Sequence, residues 1–258
     1  MRVVILGTGT SFGVPVIGCD CAVCTSNDPR DRRMRVASVV EGDDGRRILI
    51  DTPPEIRLQL LAARIGGVDA VLYTHGHADH THGIDDLRAL TARRRENLPI
   101  YGSAATLREL GDRFPYIFDD RIRPQPGTSK PQLVATPLEP FAETVVAGLP
   151  VVPLPVPHGD LAVFGYRIGP FGYVTDAKSV PDEVVDWLRG VRVLVVNALF
   201  DRPHPTHLSI DEAVTVARAV GAERTLLTHL THRHGHAALT ERLPDGVEPA
   251  YDGLAIAF

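Results

Sequence analysis

Residues 74–82 read T-H-G-H-A-D-H-T-H and place four potential metal ligands within six positions: His75, His77, Asp79 and His80. Imidazole nitrogens and carboxylate oxygens bind Zn²⁺, and added carboxylates also suit Mn²⁺ or Fe. A chain with eleven histidines contains bystanders, and a single histidine is commonly a surface or core residue. Four potential ligands this close together in the sequence are unlike isolated histidines, and they predict a metal site.

An apolar, β-branched segment at residues 68–73 comes directly before this motif and predicts a buried strand. The ligands therefore occupy the turn at a strand end, where a rigid element carries a loop. Alternation along an extended backbone places His75 and His77 on one side, whereas Asp79 and His80 follow the turn and point elsewhere. This division suits two metals better than one.

Three further potential ligands follow predicted strands later in the chain: His158, Asp176 and His229. The loop at residues 201–208 holds His204 and His207 and precedes a helix that begins with the capping box S-I-D-E.

Two other side chains near the motif receive less direct roles. Asp51 ends a predicted strand at residues 47–50, and we interpret it as orienting a ligand histidine rather than binding metal. His82, like His204, is interpreted as a residue outside the ligand set or on the surface.

All three cysteines lie in the sequence G-C-D-C-A-V-C, at Cys19, Cys21 and Cys24. Three is an odd number for a disulfide framework, and in a reducing compartment such a cluster favours metal binding. Three thiolates at this spacing can occupy three corners of a tetrahedron, and a closed zinc site then needs a fourth ligand from elsewhere. The alternative is three thiols without a metal.

Some segments have no assigned chemistry. The glycine-rich turn at residues 7–13 fits neither G-x-G-x-x-G nor G-x-x-x-x-G-K-[ST], and we interpret it as backbone approaching a ligand or metal site. Arg93, Arg94 and Arg95 end a predicted helix at residues 84–95, where a solvated cationic turn suits the helix dipole. Binding of an anionic substrate is the alternative for these arginines. The loop at residues 121–130 is interpreted as a lid or a subunit contact, as in a homodimer.

The composition is that of a globular protein with a sizeable core, and the length permits one large domain as easily as two small ones; we expect one domain covering residues 1–258. The net charge of −5 argues against a nucleic-acid partner, and no apolar run approaches the roughly 20 residues that span a bilayer. The first residues predict a strand rather than a secretion signal, so we expect a cytoplasmic protein.

Strands and helices alternate in both halves of the chain, and candidate ligands end strands in each half. This pattern predicts an α/β fold, a four-layer αββα sandwich with its site along one edge of two packed sheets. A last strand is predicted at residues 250–257.

The motif H-G-H-A-D-H at residues 75–80 resembles the H-x-H-x-D-H signature of the metallo-β-lactamase superfamily, and His158, Asp176 and His229 follow in that superfamily's order. The cysteine motif resembles that of PhnP-type phosphodiesterases, which carry a structural zinc beside a dinuclear centre. Proteins resembling PqqB share a similar cysteine motif but lack the full catalytic set.

The resemblance implies a role for each ligand. One divalent metal, Zn or Mn with Fe as an alternative, would be held by His75, His77 and His158. A second would be held by Asp79, His80 and His229. Asp176 would bridge the two, and His232 would complete the structural zinc site of the cysteines, with His234 and His236 as competitors. Asp79 and His207 would act in catalysis, His207 as the general acid.

These features predict a metal-dependent hydrolase, a phosphodiesterase acting on a small cyclic phosphodiester or nucleotide-like substrate. Its nucleophile would be a hydroxide shared by two metals. One alternative is a nuclease resembling ribonuclease Z, against which the acidic net charge weighs. Another is a thioester hydrolase or an iron-dependent redox enzyme on the same fold.

Overall fold

The computed structural model describes residues 1–94 and 96–258. The strands of this part are β1 Arg2–Gly7, β2 Ala37–Glu41, β3 Arg47–Ile50, β4 Ala70–Leu72, β5 Leu98–Gly102, β6 Leu133–Pro137, β7 Thr144–Val146, β8 Leu149–His158, β9 Leu161–Ile168, β10 Phe171–Val174, β11 Val193–Asn197, β12 Arg224–Thr228, β13 Val247–Pro249 and β14 Ala255–Ala257. The α-helices are α1 Ile56–Ala62, α2 Ala78–Thr81, α3 Arg88–Arg94, α4 Ala104–Arg113, α5 Pro115–Phe118, α6 Asp182–Leu188, α7 Ile210–Val220 and α8 His236–Arg242. None of these helices is long and apolar enough to cross a membrane.

The strands form two mixed sheets of similar plan. The first has the order β14-β1-β2-β3-β4-β5-β6, and the second has the order β13-β12-β11-β10-β9-β8-β7. Strands β3 to β6 run parallel to one another, as do β10 to β13. Parallel strands direct their carboxyl ends to the same edge of a sheet, so each sheet collects its strand-end loops on one side.

Three apolar clusters define four layers. Ile5 and Leu72 of the first sheet pack with Tyr166 and Val195 of the second between the sheets. A second cluster lies between the outer face of the first sheet and α1 and α4, and a third lies between the second sheet and α6, α7 and α8. Strands buried on both faces need helices over them. The predicted αββα sandwich is confirmed.

Two predicted elements differ from the structure. The helix at residues 84–95 begins as a 3₁₀ turn at Ile84–Leu87 before α3, and Arg95 lies outside the described residues. The last strand is shorter than the predicted residues 250–257, because only β14 at Ala255–Ala257 is a strand there, and β13 before it belongs to the other sheet. The chain turns between them at Gly253, whose φ of 88° suits glycine.

Asp252 in this turn fastens the chain end to the region around β1. Its carboxylate accepts hydrogen bonds of 2.7 Å from the Thr8 hydroxyl and from the Met34 backbone N–H. Burial raises the pKa of Asp252 from 3.8 to about 7, although these donors and Arg33 oppose the change. The folded protein therefore holds a proton that the unfolded chain has already released in this pH range.

Because the native carboxyl is the weaker acid, the free energy of unfolding falls as the pH rises between 3.8 and about 7. Asp252→Asn removes this titration. We expect the stability of the variant relative to the parent to improve by about 2–3 kcal/mol between pH 5 and pH 8. Urea unfolding at several pH values measures it, and parallel pH profiles for the two proteins would contradict the assignment.

Candidate metal centre

The structure brings seven of the sequence-predicted ligands together between the two sheets. His75, His77, His158 and Asp176 offer ligand atoms that all lie within 4.8 Å of one another. Asp79, His80 and His229 form a second group by the same measure. The two groups are those that the resemblance implies for two metals.

Strand ends and one helical turn position these side chains. His75 follows β4, and His77 caps α2, whose single turn carries Asp79 and His80. His158 ends β8 of the other sheet. The strand therefore gives way to a helix inside the motif, which directs the last two ligands away from the first two.

Three side chains of the site sit on backbone that L-residues adopt rarely. Asp51, Asp176 and His229 have φ values of 62°, 58° and 56°, and each directly follows or nearly follows a strand. Strained backbone of this kind persists where the surrounding structure holds it, commonly at functional sites. Here it turns the side chains of three strand ends toward one centre.

Asp51 occupies the position predicted for an orienting residue. Its carboxylate lies 2.7 Å from His80 Nδ1 and accepts hydrogen bonds of 2.8 Å from the backbone N–H and the hydroxyl of Thr74. The Thr74 hydroxyl also lies 3.0 Å from His75 Nδ1. Such partners fix the ring so that Nε2 faces the ligand site. Thr74 was missed by the sequence analysis, although it begins the motif.

Buried imidazole nitrogens without hydrogen-bond partners show whether these residues could hold a metal. The Nε2 atoms of His75, His80 and His229 are buried and have no hydrogen-bond partner among the described residues. Buried polar atoms are normally paired, and an unpaired one costs about 1–3 kcal/mol. Several such atoms facing the same carboxylates are what a bound divalent cation would satisfy, so the residues fit two metals.

The pKa values of the side chains in this centre lead to the same conclusion. Burial alone would lower the pKa of His80, yet the carboxylates of Asp176 and Asp51 hold it well above its ordinary value. Burial likewise opposes ionisation of Asp176, but His229 and His80 hold its pKa well below the usual range. The pocket therefore stabilises positive charge beside ionised carboxylates, which is the electrostatic requirement of a cation site.

His207 points into this centre from the loop after β11. Its Nε2 lies 3.2 Å from Asp176 Oδ2, and its Nδ1 lies 2.8 Å from the Thr206 hydroxyl. Burial lowers the pKa of His207, and the hydrogen bond with Asp176 opposes that change. The Thr206 carbonyl accepts from His158 Nδ1 at 2.9 Å, a contact that the sequence analysis missed because it joins distant segments. His204 contacts the His207 ring rather than the ligand groups.

The three cysteines converge on His232. The Sγ atoms of Cys19, Cys21 and Cys24 lie 3.3, 3.5 and 3.4 Å from His232 Nδ1. Bond lengths of about 2.3 Å to sulfur and 2.0–2.1 Å to nitrogen at a tetrahedral angle require separations of about 3.5–3.6 Å. The cluster therefore has the dimensions of a Cys₃His zinc site.

The competing histidines lie elsewhere. His234 Nε2 is 2.7 Å from Asp201 Oδ2, and His236 packs on Tyr251. The loop that carries His229 and His232 is braced by Arg33, whose guanidinium donates to the carbonyls of Thr231 and His234. Arg33 is 1% exposed, although it lies in a polar, basic stretch at residues 28–35.

Of the other segments named from the sequence, the glycine-rich turn lies at the site, whereas His82 and residues 121–130 lie outside the ligand groups. The glycine-rich turn approaches the site by its backbone, since Gly9 pairs with Leu230 and a Cβ there would lie 2.6 Å from the Arg33 carbonyl. The exposed His82 ring packs on Phe114, outside the ligand groups. Residues 121–130 have little regular structure and are mostly exposed.

Comparison with known proteins agrees with this geometry. Residues 46–230 match the family model described as a beta-lactamase superfamily domain. A crystal structure of a new diphosphatase from the PhnP family superposes with a TM-score of 0.91 and 41% identity, covering 100% of this chain and 98% of that one. The Zn²⁺-bound PqqB of Methylobacterium extorquens superposes with a TM-score of 0.79 at 19% identity, covering 100% of each chain, which shows the shared fold.

A curated relative from Porphyromonas gingivalis, named octanoyltransferase, is 40% identical over 98% of this chain. The chain spans 51% of that relative, so about half of the longer protein has no counterpart here. The matched family model, the fold and the arrangement of histidine and aspartate groups lead to one conclusion: the chain belongs to the beta-lactamase superfamily and has the metallo-β-lactamase fold.

Proposed function

We propose that the protein is a metal-dependent phosphodiesterase that hydrolyses a small cyclic phosphodiester or a nucleotide-like substrate. The observation that carries the proposal is the pair of ligand groups joined by Asp176, with His207 directed at the same carboxylate. The similarity to a PhnP-family diphosphatase over the whole chain supports phosphoryl chemistry. Three free cysteines that converge on one histidine are consistent with a reducing, cytoplasmic setting.

Two bound divalent cations, Zn²⁺ or Mn²⁺, would supply a water of lowered pKa and electrostatic stabilisation of the phosphoryl oxygens. The chain's own residues prepare that chemistry. Asp51 and Thr74 fix the rings of His80 and His75, and Asp176 holds negative charge between the two groups. Burial of these side chains excludes bulk water and strengthens each electrostatic contact.

His207 is the proposed general acid for the departing alkoxide. Its side chain is 12% exposed, so it borders the space that a substrate can reach. The Thr206 hydroxyl at Nδ1 fixes the ring with Nε2 toward the centre. A proton delivered from Nε2 would leave the imidazole neutral and the product alcohol uncharged.

His207→Ala is expected to lower kcat for an alkyl phosphodiester by about 100-fold or more, because the alkoxide then leaves without a proton. Bis(p-nitrophenyl) phosphate releases a stable anion, so its hydrolysis should fall less than about 10-fold. Steady-state rates on the two substrates measure the difference.

The metal content of His207→Ala provides the control. Asp176, His207 and His229 also offer ligand atoms within 4.8 Å of one another, so loss of a metal from this variant would identify His207 as a ligand. Unchanged metal content with equal losses on both substrates would contradict the role of a general acid.

A substrate panel tests the proposed function. Metal-loaded protein is assayed with bis(p-nitrophenyl) phosphate, a 2′,3′-cyclic nucleotide, a thioester and a short RNA. We expect turnover of both small phosphodiesters. Turnover of RNA or of the thioester without either phosphodiester would overturn the proposal.

The thioester in this panel tests a second candidate function, that of a thioester hydrolase. The P. gingivalis relative takes its name from acyl transfer, a reaction at a carbonyl carbon, which favours a thioester hydrolase on this fold. That name belongs to a protein about twice as long as the matched region, so the phosphodiesterase proposal comes first.

A further inference from the structure

A cavity of about 200 Å³ lies beside the metal centre, where the loops after β1, β11 and β12 meet. Phe12 and Phe200 contribute its two phenyl rings, beside Thr231 and Arg233, and His232 of the cysteine cluster also lines it. None of these side chains belongs to either ligand group. The cavity is therefore available to a part of the substrate that does not react.

Phe12 is held outward by the chain. Its ring is 73% exposed, yet it sits in a tight turn in which the Gly13 N–H donates to the Thr10 carbonyl at 2.8 Å. The Phe12 N–H also donates to the Thr10 hydroxyl at 3.3 Å, and Gly13 has a φ of 65° that suits glycine. The turn therefore holds this large apolar ring at the cavity rather than in the core of the protein.

Phe200 connects the cavity to the reacting centre. Its ring centroid lies 5.7 Å from that of His204, which lies 5.3 Å from His207, which in turn stacks 4.7 Å from His229. A continuous series of ring contacts therefore runs from this cavity to the ligand groups. Arg233 is exposed and has no carboxylate partner in the described part of the chain.

We propose that Phe12 and Phe200 form a subsite for a planar aromatic substituent of the substrate, such as a nucleobase. This inference rests on the proposed phosphodiesterase function and narrows it to substrates of the nucleotide type. Aromatic rings bind planar bases by stacking without requiring a particular base, and the Arg233 guanidinium can stack on the same group. A cyclic phosphodiester without a ring system would leave the cavity unfilled.

Two substrates with the same reacting group test the subsite: adenosine 2′,3′-cyclic phosphate and glycerol 1,2-cyclic phosphate. We expect kcat/KM of the metal-loaded protein to favour the adenosine ester by about 10-fold or more. Phe12→Ala should remove about 10-fold of that preference, mainly through KM, and Phe12→Tyr should keep it. Ile17→Ala is the matched control, because Ile17 is 100% exposed nearby but does not line the cavity.

Calorimetric binding of adenosine to the metal-loaded protein separates the subsite from the reaction. Adenosine binding that weakens in Phe12→Ala, together with no turnover of either ester, would reject the phosphodiesterase and keep the subsite. Equal adenosine binding by Phe12→Ala and the parent would overturn the subsite. Equal losses of kcat/KM on both esters in Phe12→Ala would also overturn the subsite. A change of oligomeric mass in Phe12→Ala, measured by light scattering, would overturn it too, because the ring would then belong to a contact between copies of the chain.

Discussion

Asp176→Asn is expected to lower the turnover of a phosphodiester about 1,000-fold and to leave the protein with less than its full pair of catalytic metals. Asp176 Oδ2 lies 3.9 Å from His75 Nε2 and 3.8 Å from His158 Nε2 in one ligand group. The same atom lies 3.6 Å from His229 Nε2 in the other group. One carboxylate therefore serves both groups, so its neutralisation weakens both.

The charge of Asp176 matters more than its shape. Asn keeps an oxygen and the volume of the side chain, but it removes the negative charge that two cations would share. The carboxylate is 3% exposed, so little solvent screening compensates for that loss. Metal analysis by mass spectrometry and steady-state turnover measure the two effects separately.

Asp182→Asn is the matched control, because Asp182 is exposed in the first turn of α6 on the same sheet and loses the same charge. We expect the control to keep its metals and its turnover. An Asp176→Asn protein with a full metal complement and unchanged kcat would remove Asp176 from the centre.

Much of the fold and of the candidate site could be predicted because the relevant signals are local. His75 to His80 are neighbours in sequence, and the buried strand before them is readable from its apolar, β-branched residues. His158, Asp176 and His229 are separate in sequence, but each follows an apolar strand. The alternation of strands and helices then predicts that these strand ends lie along one edge of the packed sheets.

The features that could not be predicted depend on contacts between distant segments. Arg33 is charged and lies in a basic stretch, yet it is buried, with its guanidinium donating to the carbonyls of Thr231 and His234 and paired with Asp31. The cavity beside the centre joins Phe12 to Phe200 across 188 residues, from two loops that show no shared pattern. The last strand is shorter than predicted for the same reason, since Asp252 accepts hydrogen bonds from Thr8 and Met34 and holds the chain in a turn before β14.

Cys21→Ser is expected to remove about one zinc per chain and to lower the melting temperature by about 5–10 °C. Zinc coordination contributes directly to folding, because the unfolded chain has no preformed site. For a chain of this size, each 1 kcal/mol of lost stability lowers the melting temperature by about 2–4 °C, so a loss of about 3 kcal/mol accounts for the expected shift. The Cys21 thiol is suited to coordination, since the backbone N–H of Cys24 lowers its pKa to about 6.

Cys21→Ser also tests whether the cysteine cluster stabilises the neighbouring loop or takes part in the reaction. The cluster ties the loop at residues 19–24 to His232, three residues beyond His229, so its loss should reduce turnover indirectly while the two catalytic metals remain bound. Asp20→Asn changes an exposed neighbour in the same loop and should leave zinc content and melting temperature as they are. Cys21→Ser protein with unchanged zinc content and melting temperature would contradict a structural metal. Loss of all bound metals would instead show that the two sites are not independent, because the loop that carries His229 would then depend on the zinc for its position.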